Sequence, residues 1–201
     1  MRPMLLVGTA VTMLVVACGR SQRTTTTTST IATASPGAVV PRDATTGLVA
    51  ASMQSDAHVA AVVHETNAAE VTTSRLALQR ALSVEVKAFA QRMVDEHTSL
   101  DQQARELARF SGISPSLPDS TLPSLQREEL AALSRQSGSA FDRAYIAQQV
   151  DAHQRALTLT RAAMRVTRDD QLRTMLSAVL EPRIREHLVA AEALRSRGGL
   201  R

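Results

Sequence analysis

The sequence predicts an all-α protein in which four long helices form a bundle, with one short extra helix. Three observations predict it. Apolar residues recur at alternating steps of three and four over four long stretches. No stretch shows the alternation of a half-buried strand. Aromatics make up only 2 % of a chain that is 44 % apolar, so Leu, Val, Met and Ala must fill the core. Such a core suits closely packed helices, and 201 residues suffice for one ordinary domain.

The chain begins with features of export. Arg2 is followed by an apolar run from Met4 to Ala17, too short for a permanent membrane helix. The run reads as a signal peptide over residues 1–17. Val15-Val16-Ala17-Cys18 resembles a lipobox, and Cys18 is the only cysteine. Lipidated, it would tether the chain to a membrane. Gly19 follows it, where an aspartate would resemble an inner-membrane retention signal. The expectation is a cell-envelope protein facing the periplasm, on the outer membrane where the cell has two. Residues 18–50 are rich in Thr, Ser and Pro, with an unbroken run from Thr24 to Thr28, and read as a flexible tether. The bundle domain is expected over 51–197, followed by a short tail at 198–201.

Within the domain the first long helix is expected near residues 55–82, capped by Ser55, and the second over 83–110. Val86, Ala90, Met93, His97, Leu100, Ala104 and Leu107 mark the stripe of the second, which Ser111-Gly112, Pro115 and Pro118 terminate. A shorter helix spans about 121–135. Ser139 and Asp142 have the spacing of a capping box for the third long helix, and Thr167 with Asp170 for the fourth. Pro182 lies inside the fourth helix and must displace the Ala178 carbonyl. The resulting bend either simply fits the bundle or aims Glu181.

The net charge of +4 comes almost wholly from arginines spread along the helices, with Lys87 the only lysine. This is a solvated mixed-charge surface and argues against nucleic-acid binding. No phosphate loop, nucleophile elbow or cysteine pair is present, so no catalytic constellation is predicted.

The hint of chemistry is histidine. His64, His97, His153 and His187 each fall on an apolar stripe, one per long helix. In an up-down-up-down bundle at about 1.5 Å rise per residue, His97, His153, Glu70 and Glu181 lie at one height. His64 and His187, with Asn67, form a second polar layer about 9 Å away. The first set is a candidate transition-metal site, since imidazole with carboxylate suits zinc, iron, copper or nickel. The rival reading is a hydrogen-bonded polar layer that sets helix register. The acids beside the histidines, Asp95, Glu96, Asp151 and Glu186, are rotated away by about 100° or 200°. They are expected to meet arginines, or to support a histidine on a neighbouring helix.

Ala69-Glu70-Val71, Ser83-Val84-Glu85-Val86-Lys87-Ala88-Phe89-Ala90-Gln91-Arg92-Met93-Val94-Asp95-Glu96-His97, Phe141-Asp142-Arg143-Ala144-Tyr145, Asp151-Ala152-His153-Gln154 and Arg185-Glu186-His187-Leu188 recur in this order. They resemble an exported bacterial ferritin-like family catalogued as domain of unknown function 4142. The resemblance covers about residues 56–194 and implies a ferritin-like bundle, but no activity. The Glu-x-x-His motif of ferritin-like di-iron sites is absent: Ala61, Val94, Val150 and Ile184 stand three before the histidines. The leading expectation is a non-enzymatic, lipid-anchored binding or stress-related module. The alternative is a metal-binding protein for storage, sensing or redox chemistry. Protein partners are not indicated, and self-association stays open.

Overall fold

The structure is a computed structural model that describes residues 42–197. The signal peptide, Cys18 and the tail at 198–201 lie outside the described residues. Every regular element described is helical: α1 (Arg42–Ser52), α2 (Asp56–Arg80), α3 (Val84–Phe110), α4 (Thr121–Ser134), α5 (Gly138–Val166), α6 (Asp170–Thr174), a π-helical turn (Met175–Leu180) and α7 (Glu181–Ser196). The last three run on as one rod. No helix among the described residues is long and apolar enough to cross a membrane.

The caps show why the helices begin where they do. The Ser55 hydroxyl accepts from the His58 N–H, and the Ser83 hydroxyl from the Val86 N–H, each satisfying an orphan donor of a first turn. Gly112, at φ 67°, takes the left-handed conformation that stops α3. Asp142 is not a capping-box partner within α5. Its buried carboxylate instead accepts from the Leu82 and Ser83 N–H groups at 2.8–3.2 Å, pinning the α2–α3 turn to α5. Asp169 caps α6 by accepting from Leu172, while the Thr167 hydroxyl donates back to Ala163.

Residues 42–50 are corrected from tether to helix. Their Thr-rich composition reads as linker, but Thr45, Thr46 and Val49 are buried, and α1 packs on α4 and α5. Met53, just past its end, belongs to the same core.

The helix directions follow from the cross-helix bonds. Asn67 meets His97 and His64 meets Asp101, so α2 and α3 are antiparallel. Ser74 meets Tyr145 and Glu70 meets Gln149, so α2 and α5 are antiparallel too. Arg161 meets Glu181 and His153 meets His187, so α7 opposes α5. Thus α3 and α5 run parallel, joined by a crossover that carries α4. The expected up-down-up-down order is replaced by two antiparallel pairs, α2/α3 and α5/α7, with one long connection.

Pro182 produces no simple kink. The Glu181 N–H donates to the Leu176 carbonyl, five residues back, so one extra residue is housed just before the proline. This π turn widens the ladder where proline supplies no N–H and its ring would strike a carbonyl.

The core is two apolar clusters. One holds Val59, Val62, Leu100, Leu157, Leu176 and Ile184; the other holds Val86, Phe89, Met93, Phe141, Tyr145 and Ile146. Each fully buried side chain of this kind contributes about 1.5–3 kcal/mol, and these clusters carry the fold. Between them on all four long helices lies a polar layer: Asn67, Glu70, His97, His153 and His187, all buried.

Candidate metal centre

His97 on α3, His153 on α5 and His187 on α7 meet in this layer, at relative exposures of 4 %, 1 % and 0 %. Their ring centroids are 5.1–5.7 Å apart, and one ring nitrogen from each lies within 4.8 Å of the others. Burying three imidazoles among aliphatic side chains carries a cost unless their polar atoms are satisfied.

Each ring has one nitrogen tied outward. His97 Nδ1 lies 2.8 Å from Asn67 Oδ1. The Asn67 amide is itself oriented, because its Nδ2 donates to the Val63 carbonyl at 2.8 Å. His153 Nδ1 lies 2.8 Å from the Gln149 carbonyl, and His187 Nε2 lies 2.8 Å from Glu96 Oε2. All three partners are acceptors, so the nitrogen facing each must carry the proton. In neutral rings the other nitrogens, His97 Nε2, His153 Nε2 and His187 Nδ1, are therefore left with lone pairs.

The electrostatics favour the neutral form of His97 and His187. Burial lowers His97 to about 4, against the opposing pull of Glu70, with His153 and His187 lowering it further. Burial likewise lowers His187 to about 4, although its bond to Glu96 works the other way. Glu96 is pushed upward by burial, but bonds from Arg92 and His187 outweigh this and hold it at about 2. At neutral pH a carboxylate thus faces a neutral imidazole.

The consequence is an unmet acceptor site. His97 Nε2 is buried with no hydrogen-bond partner. His153 Nε2 and His187 Nδ1 lie 3.3 Å apart, acceptor against acceptor. Two ligands of a tetrahedral ion at about 2.0–2.1 Å would be about 3.3–3.4 Å apart. The separation of His153 Nε2 and His187 Nδ1 therefore matches two ligands of a transition-metal ion, with a ring nitrogen of His97 within 4.8 Å of both to move in as a third.

The structure redistributes the residues expected from sequence. His97 and His153 are brought together at one height. Glu181 is not with them: it lies at the bundle surface, paired with Arg161 at 3.3 Å and Arg185 at 2.6 Å, which together hold its carboxyl below the usual range. His187 takes its place. The rod 170–196 is shifted along the bundle from a direct reversal after α5, so that residue 187, six residues or about 9 Å beyond 181, faces His153. The connection after α5 is held there by Asp56, whose carboxylate accepts from the Arg168 and Asp169 N–H groups at 2.9 and 3.1 Å.

Glu70 lies in the layer but outside the three-nitrogen cluster, receiving Gln149 Nε2 at 2.8 Å. Asn67 belongs to the same layer as His97, not to a second one. His64 is half-exposed and pairs with Asp101 at 2.7 Å. Glu96 behaves as its offset predicts: it points away from His97, meets Arg92, and supports the histidine of a neighbouring helix. Gln149 escaped sequence reasoning, because a glutamine on a helical stripe carries no distinguishing signal.

Fold and site together define a class: an all-helical bundle whose apolar core is interrupted by a buried triad of oriented histidines. The chain belongs to the family described as Domain of unknown function (DUF4142), whose model matches residues 42–194. The match begins at the first residue of α1, which confirms that helix as part of the domain. No curated protein and no solved structure matches the chain.

Proposed function

We propose that this protein is a metal-binding module that holds one late first-row transition ion on His97 Nε2, His153 Nε2 and His187 Nδ1. The observation that carries the reading is the convergence of three inward lone pairs, each fixed by an outward hydrogen bond to an acceptor. Supporting bonds of this kind orient metal-bound histidines and make them better donors. All-imidazole donor sets suit zinc and copper, with iron and nickel next. The Glu70 carboxylate in the layer and the Glu96 carboxylate behind His187 offer negative charge to offset a buried dication. The single long crossover, which ferritin-like bundles share, supports the same reading at the level of topology alone.

The setting is proposed from the sequence. Residues 1–17 and Cys18 support export and lipid anchoring, which would hold the module at the cell envelope on a Thr-rich tether. We assign metal binding as its role.

Metal-free protein, purified without an affinity tag, is dialysed against zinc and, separately, Cu(I). The expected result is close to one equivalent retained, and loss of that equivalent in His97→Ala/His153→Ala. Retention below about a tenth of an equivalent of either metal overturns the reading. The anchor is tested separately, by loss of membrane partitioning in Cys18→Ser.

A further inference from the structure

Two small cavities, each of about 40 Å³, adjoin one another beside the triad. The inner one has His97 and His153 in its wall and runs along α2 past Thr66 and Val62 to Val59. The outer one lies between α2 and α5, with Leu122, Leu125, Gln126 and Glu129 of α4 as its roof. Thr66, Glu70, Ala152, Ala156 and Leu159 line both, so these side chains form the partition between them. Two of the five are alanines, which leaves the partition thin.

The outer cavity holds the charge. Glu129 and Arg155 line it, joined at 2.8 Å with side-chain exposures of 7 % and 14 %. Thr73, Gln126 and Gln148 add hydroxyl and amide groups. Arg155 Nη1 is buried with no hydrogen-bond partner, and a space with so many polar groups can keep an ion partly hydrated. The inner cavity ends differently at its two extremes. Val59, Leu176 and Leu180 close the far one, while the partnerless, buried Nε2 of His97 belongs to the near one.

We infer that the metal ion reaches the triad through the outer cavity, with Glu129 as its first protein ligand and Glu70 as its second before His97. The inference rests on the metal reading above and adds the route by which that site is filled. A dication sheds water at a heavy cost unless ligands replace it. Carboxylates in successive cavities replace it, and the aliphatic far end does not. At rest Arg155 holds Glu129, and the ion takes over that carboxylate as a second cation. Glu70 faces both cavities, and its charge acts on His97 more strongly than any other. The remaining charges acting on His97 are those of His153, His187 and Glu96. Glu129 stands outside this set, so its charge is felt along the passage and not at the bound ion.

Zinc is the probe, with uptake by metal-free protein and release to excess chelator each timed by stopped flow. Glu129→Gln removes the carboxylate, and Thr73→Leu fills the outer cavity from a residue that does not line the inner one. Each should slow uptake and release by the same factor, about tenfold or more, as loss of a charged approach does. Affinity should stay unchanged, because a residue of the passage alters the barrier and not the end states. Thr160→Leu, in the inner cavity only, should change neither rate. Should Thr73→Leu fail to fold, Glu129→Gln and Thr160→Leu decide. Slowing by Thr160→Leu, or by none of the variants, overturns the route. Weaker binding in Glu129→Gln at an unchanged uptake rate overturns it too, since the residue then acts on the folded site. Failure of the wild-type protein to retain zinc overturns the metal reading and this inference with it.

Discussion

Glu96 on α3 accepts from His187 on α7 at 2.8 Å, and the same carboxylate receives Arg92 at 2.7 Å and Arg183 at 3.3 Å. Arg183 in turn meets Glu186 at 2.7 Å. A buried ring is thus wired to a surface ion network through one acid, which fixes its tautomer and aims Nδ1 inward.

Removing such an acceptor should weaken metal binding without dismantling the bundle. Glu96→Ala and Asn67→Ala are each expected to lower affinity about 10–100-fold, as supporting residues of metal-bound histidines do. Competition titration with a chromophoric chelator measures this. Unchanged affinity in both variants would show that the outward bonds do not set the site.

Glu181→Ala should behave oppositely. Its ion pairs with Arg161 and Arg185 lie at the surface, where such pairs contribute about 0–1 kcal/mol. Metal stoichiometry should not change, and urea unfolding should shift by no more than that. Loss of the bound metal would restore Glu181 as a ligand and contradict the structure.

Acid should destabilise the metal-free protein in two stages. His97 and His187 sit at about 4 in the folded chain against an ordinary 6.5, so the unfolded chain takes up those protons first. Their contribution is complete above 6.5 and lost as pH falls toward 4. Glu96 is held at about 2 against 4.5, so its contribution is present above 4.5 and lost toward 2. Melting temperature should fall through both windows, and Glu96→Gln should flatten the lower one. A melting temperature constant from pH 7 to pH 4 would contradict the buried neutral rings.

Deleting Ala178, an exposed residue of the π turn, should return the ladder to α-helical spacing with both flanks of the rod still in register. Met175, Leu176 and His187 should keep their places, so metal stoichiometry should not change. The Pro182 ring would then meet a carbonyl with no widened turn to receive it, at a cost on the order of 3 kcal/mol in denaturant unfolding. Loss of the bound metal would mean that the π turn does not simply absorb one extra residue.

The helices themselves were legible in the sequence, because the stripes of α2, α3 and α5 and the caps at Ser55 and Ser83 are local signals. The level of His97 with His153 came out as expected although α3 and α5 run parallel, not antiparallel, because each histidine stands near the middle of its helix. Three features were not legible. The burial of α1 depends on Thr45 and Thr46, whose type does not distinguish a linker from a packed face. The parallel arrangement of α3 and α5 depends on where the crossover carrying α4 goes. The choice of His187 over Glu181 depends on the displacement of the last rod, set by Asp56 across the bundle and by one extra residue in the π turn. Each is a tertiary decision that no periodicity records.

X-ray absorption at the metal edge, on wild-type protein carrying one equivalent of zinc or copper, tests the central claim most directly. The account predicts three imidazole nitrogens at about 2.0–2.1 Å. A coordination shell of oxygen with one imidazole or none would contradict it.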